Sequence, residues 1–264
     1  MNILDTIVAH KHNEVKDRKQ LMPIRELEKR TLFQRPVVSI KKQLLTPDAS
    51  GIIAEFKRKS PSRGVINATS LADSATLQYV QAGASALSVL TDQNFFGGSD
   101  EDFLAARIVN TCPMLRKDFI VDEYQVIEAK SIGADVILLI AASLNPAAIR
   151  NFVSLAHSLG MEVLLEVHNE EELLNNLNSG TDLIGVNNRN LKTFEVSIEV
   201  SKRLFPLMPK EAVKVSESGI DNVQAILELK KLGFQGFLMG QKFMEQADPG
   251  LACKNFIHEL RTHK

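Results

Sequence analysis

From residue 51 onward, short apolar runs alternate with longer stretches of helical periodicity. The short runs read as strands: 51–57 (GIIAEFK), 86–90 (ALSVL), 113–118 (PMLRKD), 135–140 (DVILLI), 161–167 (MEVLLEV), 182–187 (DLIGVN), 212–217 (AVKVSE) and 236–240 (GFLMG). Helical patterns fit near 70–82, 100–110, 122–132, 146–159, 169–178, 196–204, 221–232 and 250–261. Gly83, Gly133, Gly160, Gly180 and Gly233 sit where helices should end before the next strand, as C-terminal caps do. Strict alternation of strand and helix implies a parallel sheet. Eight such units favour an α/β fold closed into a (β/α)8 barrel, the TIM-barrel architecture, over an open sheet. Residues 1–50 precede the first strand and read as one or two extra helices broken at Pro23, Pro36 and Pro47. That segment is expected to cap the barrel or to lie over its active face. No repeat, low-complexity tract or linker divides the chain, so 1–264 is expected to be one domain, with a 1–50 extension and a 51–264 barrel.

The polar residues break this pattern at one end of the strands. In the first strand Glu55 and Lys57 share a face with Ile53, while Ile52, Ala54 and Phe56 share the other. Burying two charges in a strand costs several kcal/mol or more unless they are paired, so their presence calls for a reason. Strand 3 ends in Lys117 and Asp118, strand 5 in Glu166 and His168, strand 6 in Asn187, Asn188 and Arg189, and strand 7 in Glu217 and Ser218. Alternation places Glu166 on one face with Leu164 and Glu162, and Asn187 with Gly185 and Leu183. In such barrels the C-terminal strand ends carry the chemistry. One charged end would pass for a solvated cap, but five at one mouth are hard to explain as packing. Glycine turns follow strands 7 and 8, at Ser218-Gly219 and Gly240-Gln241, and Ser60 and Ser62 enter from the first loop. Backbone N–H groups at such turns suit a phosphate.

Composition narrows the picture without changing it. Hydrophobic residues make up 44% and charged residues 24%, with a formal net charge of −1, so no electrostatic footprint for nucleic acid or an anionic membrane is present. No apolar run approaches the roughly 20 residues a membrane span needs. The opening MNILDTIVAH is amphipathic and contains an acid, unlike a signal peptide. Cys112 and Cys253 lie far apart without metal-ligand spacing, and a cytoplasmic protein with reduced cysteines is expected. His10, His12 and His157 read as surface residues, and no role is given to His168.

The motifs together resemble the indole-3-glycerol-phosphate synthase family. The matching pieces are IAEFKRKSPSRG (53–64), SVLTDQNFFGGS (88–99), LRKDFI (115–120), LLEVH (164–168), IGVNNRNL (184–191), SESGI (216–220) and FLMG (237–240). The opening ILDTIVA (3–9) with EVK (14–16) looks like the family's extra N-terminal helix, so the likeness runs through nearly the whole chain. One departure is Gln241-Lys242, where the family often has a small or acidic residue. The resemblance implies conversion of 1-(2-carboxyphenylamino)-1-deoxyribulose 5-phosphate to indole-3-glycerol phosphate with loss of CO2 and water. It implies no cofactor, no metal and no obligate protein partner. Carried over by position, Lys117 is the leading general acid and Glu166 the carboxylate of the dehydration. Lys57 lies by the substrate carboxylate and shares proton donation; Glu55 pairs with Lys57 or Lys117. Asn187 and Ser218 orient hydroxyls and the intermediate, with Glu217 in the same network. Phe96 and Phe119 hold the aromatic ring. Ser60, Gly219, Gly240, Gln241 and Arg189 are the phosphate candidates.

Other readings are open on residues alone. A phosphoribosylanthranilate isomerase would want a cysteine in the first strand, where this chain has Glu and Lys. A flavin-dependent barrel would use the same phosphate turns. A non-catalytic sugar-phosphate barrel would be signalled by loss of charges at the strand ends, and here the set is intact.

Overall fold

In the computed structural model, which describes residues 3–191 and 193–263, the eight expected strands all form. They are β1 (Ile52–Phe56), β2 (Ala86–Leu90), β3 (Met114–Lys117), β4 (Val136–Ile140), β5 (Glu162–Val167), β6 (Leu183–Asn187), β7 (Val213–Glu217) and β8 (Gly236–Met239). Each pairs in parallel with its neighbours in sequence, and β1 closes on β8 with Ile52 opposite Phe237 and Ala54 opposite Met239. The result is a closed (β/α)8 barrel.

Period-2 alternation explains why the barrel has two separate cores. Ile53, Leu115, Leu138, Leu164, Leu183, Val213 and Leu238 fill the interior. Ile52, Ala54, Phe56, Val163, Leu165, Val167 and Phe237 face outward against the helices. The face shared by Ile53, Glu55 and Lys57 is thus the inner one, and it turns polar only at the C-terminal mouth.

Two helices differ from the periodicity. The run at 169–178 is helical only over Glu170–Leu174, and the one at 196–204 only over Glu199–Leu204. In the first, Asn175, Asn176 and Asn178 crowd the second half, and Asn side chains compete with the backbone for hydrogen bonds. All five expected cap glycines have positive φ, but Gly180 lies well beyond Leu174 and caps no α-helix.

The first fifty residues are neither one helix nor two. Ile3–Leu21 is a long helix, followed by short turns of helix at Ile24–Leu27 and Ile40–Leu44 and a 3₁₀ turn at Thr31–Gln34. The segment serves both ends of the barrel. Ile40 and Leu44 plug the interior from below, held by Val38 N to Asp135 Oδ1 at 2.8 Å and Lys41 N to Glu162 Oε2 at 3.1 Å. At the other end, Lys11 of the long helix is fully buried and lies 3.0 Å from each of Asp92, Asp118 and Glu14. Asp92 caps the Gln93–Phe96 helix after β2, and Asp118 follows β3. One lysine therefore ties the N-terminal helix to two of the loops at the mouth.

Among the described residues, no helix is long and apolar enough to cross a membrane.

Candidate active site

A cavity opens at the C-terminal end of the strands, and every candidate residue named from the sequence borders it. Those from the strand ends are Glu55, Lys57, Lys117, Glu166, Asn187, Glu217 and Ser218; those from the loops are Ser60, Phe96, Phe119, Arg189, Gly219, Gly240 and Gln241.

The charges sort into two pairs of different character. Lys57 Nζ lies 2.7 Å from Glu55 Oε1, and Ser88 Oγ donates to Glu55 Oε2 at 3.1 Å. Of the two lysines considered for Glu55, Lys57 is the one it holds. Lys117 instead bridges Glu166 Oε2 at 2.9 Å and Glu217 Oε2 at 3.0 Å. Burial alone would lower the Lys117 pKa, but Glu166, Glu217 and Glu55 outweigh it and hold the ammonium charged. Burial would likewise raise Glu166, yet Lys117 and His168 bring it well below the usual carboxylate range. Glu217 goes the other way: burial and the neighbouring Glu166 push it up to about 7 against the pull of Lys117. Two carboxylates on one lysine cannot both be fully served, and Glu217 is the one that takes a proton near neutrality.

A missing side chain makes room for this arrangement. Gly185 on β6 faces Glu217, and a Cβ there would come within 2.1 Å of Glu217 Oε1, an oxygen buried without a hydrogen-bond partner, and within 3.2 Å of Leu164. Gly185→Ala should leave the barrel folded but push the Glu217 carboxyl off Lys117. Turnover should fall on the order of 10²-fold, the cost of an ångström-scale misplacement. Steady-state kinetics beside a circular-dichroism melt checks this; unchanged turnover would show that the position of Glu217 does not matter.

Backbone and polar contacts fix the rest. Asn187 Nδ2 donates to Glu166 Oε1 at 3.2 Å, and its Oδ1 accepts from Arg189 N at 3.0 Å. Asn188 points away from the cavity and pins the following loop, donating to Ser216 Oγ at 2.9 Å and Ser218 O at 3.0 Å and accepting from Ser201. Ser218 and Gly219 are consecutive left-handed residues, φ 66° and 71°, so their backbone curls around the end of β7. A side chain at 219 would also strike Val196 at 2.2 Å. Gly240 lets the end of β8 pack on Glu55, whose Cβ would lie 2.9 Å from any Cβ at that position. The rings of Phe96 and Phe119 stand 5.7 Å apart at one wall. Arg189 faces Arg63, and burial together with that second cation lowers its pKa; two guanidiniums so placed favour an anion between them.

Asp118 borders the cavity, but its carboxylate is not part of the mouth's chemistry. It is 3.0 Å from Lys11 and accepts from Thr91 Oγ1 at 2.6 Å. Despite burial, Lys11 and Arg116 hold it down at about 2. Sequence reasoning missed Leu4 and Ile7, which bring the N-terminal helix to the cavity wall, and it gave no role to His168. That histidine is buried with Nε2 3.3 Å from Glu166 Oε1 and Nδ1 3.2 Å from Glu172 Oε2. Residue 168 is two positions from Glu166, so strand alternation was the signal that it shares the same side.

A cavity with a buried acid–base cluster at one side, an aromatic wall, and backbone amides with cations at the other can bind an aromatic sugar phosphate and move protons on it. Comparison with known proteins agrees. The sequence profile of the family described as indole-3-glycerol phosphate synthase matches residues 4–259. An indole-3-glycerol phosphate synthase from Bacteroides thetaiotaomicron is 46% identical over 98% of this chain and 99% of its own length. One from Polaromonas naphthalenivorans is 41% identical, again over 98% of this chain and 99% of its own. Among solved structures, a thiamine phosphate pyrophosphorylase from Pyrococcus furiosus matches with a TM-score of 0.60 over 84% of this chain and 99% of that one. At 15% identity it shares the fold alone.

Proposed function

We propose a division of labour among the residues of this cavity on one premise: the chain belongs to the indole-3-glycerol phosphate synthase family. The enzyme converts 1-(2-carboxyphenylamino)-1-deoxyribulose 5-phosphate to indole-3-glycerol phosphate, CO2 and water in tryptophan biosynthesis. A cytoplasmic location and action without an obligate protein partner go with this reading.

The observation that carries the assignment is Lys117 held between Glu166 and Glu217 at the open end of the barrel. Lys117 donates to the ribulose carbonyl while the anthranilate ring carbon attacks it. A carbonyl inserted at the ammonium displaces the carboxylates that hold its proton, which makes the proton easier to give. The ring carbon that bore the carboxylate then keeps the bonding pair as CO2 leaves, and the ring becomes aromatic again. In the last step Glu166 takes a proton from the carbon beside the nitrogen, and the hydroxyl leaves as water with a proton from the lysine side. Lys57, set by Glu55, receives the substrate carboxylate. Asn187 and Ser218 orient the hydroxyls, and Phe96 and Phe119 hold the aromatic ring. Ser60, Gly219, Gly240, Gln241 and Arg189 take the phosphate; backbone N–H groups do this work equally well with Gln241 at that position.

The test is optical. The chain has no Trp, so indole emission rises on a dark background when the protein meets its substrate. A flat signal from protein that binds the substrate in calorimetry would leave a pocket without the chemistry.

The loop after β1 should close over bound substrate, but over a shorter length than its composition suggests. Arg58 is fixed to Asp102 Oδ1 at 2.7 Å and Lys59 to Asn94 O at 2.6 Å. Pro61 to Gly64 are exposed, and Gly64 has φ 68°. Trypsin should therefore cut after Arg63 in the free enzyme, and a substrate analogue should protect that bond. Equal cleavage with and without the analogue would rule closure out.

A further inference from the structure

The acid and base assigned above leave an electrostatic problem. When Lys117 gives up its proton, Glu166 loses its main counter-charge just before it must act as a base. A buried carboxylate without a cation takes a proton from any source, and one protonated by solvent no longer accepts the proton from carbon. A second cation that the reaction does not consume would solve this.

His168 occupies that place. Its side chain is 9% exposed, on the same side of β5 as Glu166. Nε2 lies 3.3 Å from Glu166 Oε1, close enough for an ion pair though not aligned as a hydrogen bond, and Nδ1 lies 3.2 Å from Glu172 Oε2. The same Glu172 oxygen accepts from His168 N at 2.7 Å, and Asn169 Nδ2 donates to Glu172 Oε1 at 2.7 Å, so the second carboxylate is itself fixed. We propose that His168 is a positioning residue for this reaction: a cation buried between Glu166 and Glu172 that keeps Glu166 ionised and oriented while Lys117 gives up its proton. The inference rests on the reading of Lys117 as acid and Glu166 as base.

The charged surroundings agree. A side cavity outside the mouth is bordered by His168, Glu172, Arg189, Glu195 and Arg203. The two carboxylates in contact with the ring are Glu166 from β5 and Glu172 from the following helix, with Lys117 beyond Glu166. Burial alone would lower the imidazole, but these two carboxylates raise it to about 10. The ring is thus charged throughout the range in which the enzyme would work. Its charge appears in neither substrate nor product, which separates it from the acid and the base.

The test is the pH profile of kcat in His168→Gln, with Glu172→Gln as a second variant in case the first does not fold. Losing the cation raises the value at which Glu166 ionises, so the acid limb should move up by about one to three pH units. Activity at pH 6 should then fall at least about tenfold relative to pH 9, where Glu166 is ionised in both proteins. Glu172→Gln, which loosens the imidazolium, should move the limb the same way by less. A helix-capping role for the pair would lower Tm and leave the limb in place; an unmoved limb in the folded variants overturns the proposal. Glu166→Gln separates the two levels. If that variant stays active, the base assignment itself is wrong; if it is inactive while His168→Gln keeps the wild-type limb, only the inference about His168 fails.

Discussion

Replacing Lys117 by alanine should lower kcat by about 10³-fold or more while the barrel still folds. The size follows from what a positioned acid contributes, about 10²–10⁴-fold, and from the position of Lys117 as the one cation in contact with both Glu166 and Glu217. Folding survives because the side chain lies at the mouth, 14% exposed, rather than in either apolar core. Removing the lysine leaves two buried carboxylates face to face, and Glu217, already raised to about 7 by burial and Glu166, takes up a proton. That response keeps the stability loss within about 1–3 kcal/mol. It also gives the loss a sign. A carboxyl whose folded pKa lies above its unfolded value stabilises the fold fully at low pH, and that share is lost as pH rises through the folded value. Lys117→Ala should therefore be closest to wild type in Tm near pH 6 and furthest from it near pH 8. Turnover near the wild-type rate would take Lys117 out of the mechanism.

Glu166→Gln should be nearly as damaging to turnover, about 10²–10⁴-fold in kcat, and almost silent in stability. The amide keeps the size of the carboxyl and can still accept from Lys117, but it cannot take a proton from carbon. A second effect is local. His168 is raised to about 10 largely because Glu166 and Glu172 face it, so removing one of the charges should bring its titration down toward the ordinary imidazole range. Histidine NMR signals followed from pH 6 to 10 in the two proteins measure this directly. A His168 that titrates identically in both would mean that the charge of Glu166 does not reach it.

Much of the barrel was legible because its two periodicities are clean. GIIAEFK and MEVLLEV alternate residue by residue, and each interior position found that way, such as Ile53 and Leu164, faces the inner core. Eight strand runs separated by helical ones leave little topological choice. The cavity residues were legible for a related reason: charges inside apolar strands have no cheap structural explanation, and Glu55, Lys117, Glu166 and Glu217 all stand at such positions. What the pattern hid depends on long-range contacts. Lys11 lies on the apolar stripe of the first helix with Leu4, Ile7 and Val15, but its partners Asp92 and Asp118 are about a hundred residues away. The double role of the first fifty residues, closing the floor through Ile40 and Leu44 and lining the mouth through Leu4 and Ile7, is equally invisible to local periodicity. The direction of Asp118 was misjudged because a strand's last residue can turn either way, and a buried lysine from another element decided it. Gly185 looked like an ordinary strand residue until the carboxyl of Glu217 was seen against it.

The central claim is that Lys117 acts before CO2 leaves and Glu166 after it. The most direct measurement follows both products in one single-turnover experiment, with substrate labelled in its carboxylate: release of labelled CO2 and growth of indole fluorescence. Lys117→Ala should show neither, because the ring does not close. Glu166→Gln should release CO2 while fluorescence stays low, because dehydration stalls. Equal suppression of CO2 release in the two variants, or CO2 released at the wild-type rate by Lys117→Ala, would contradict the assignment.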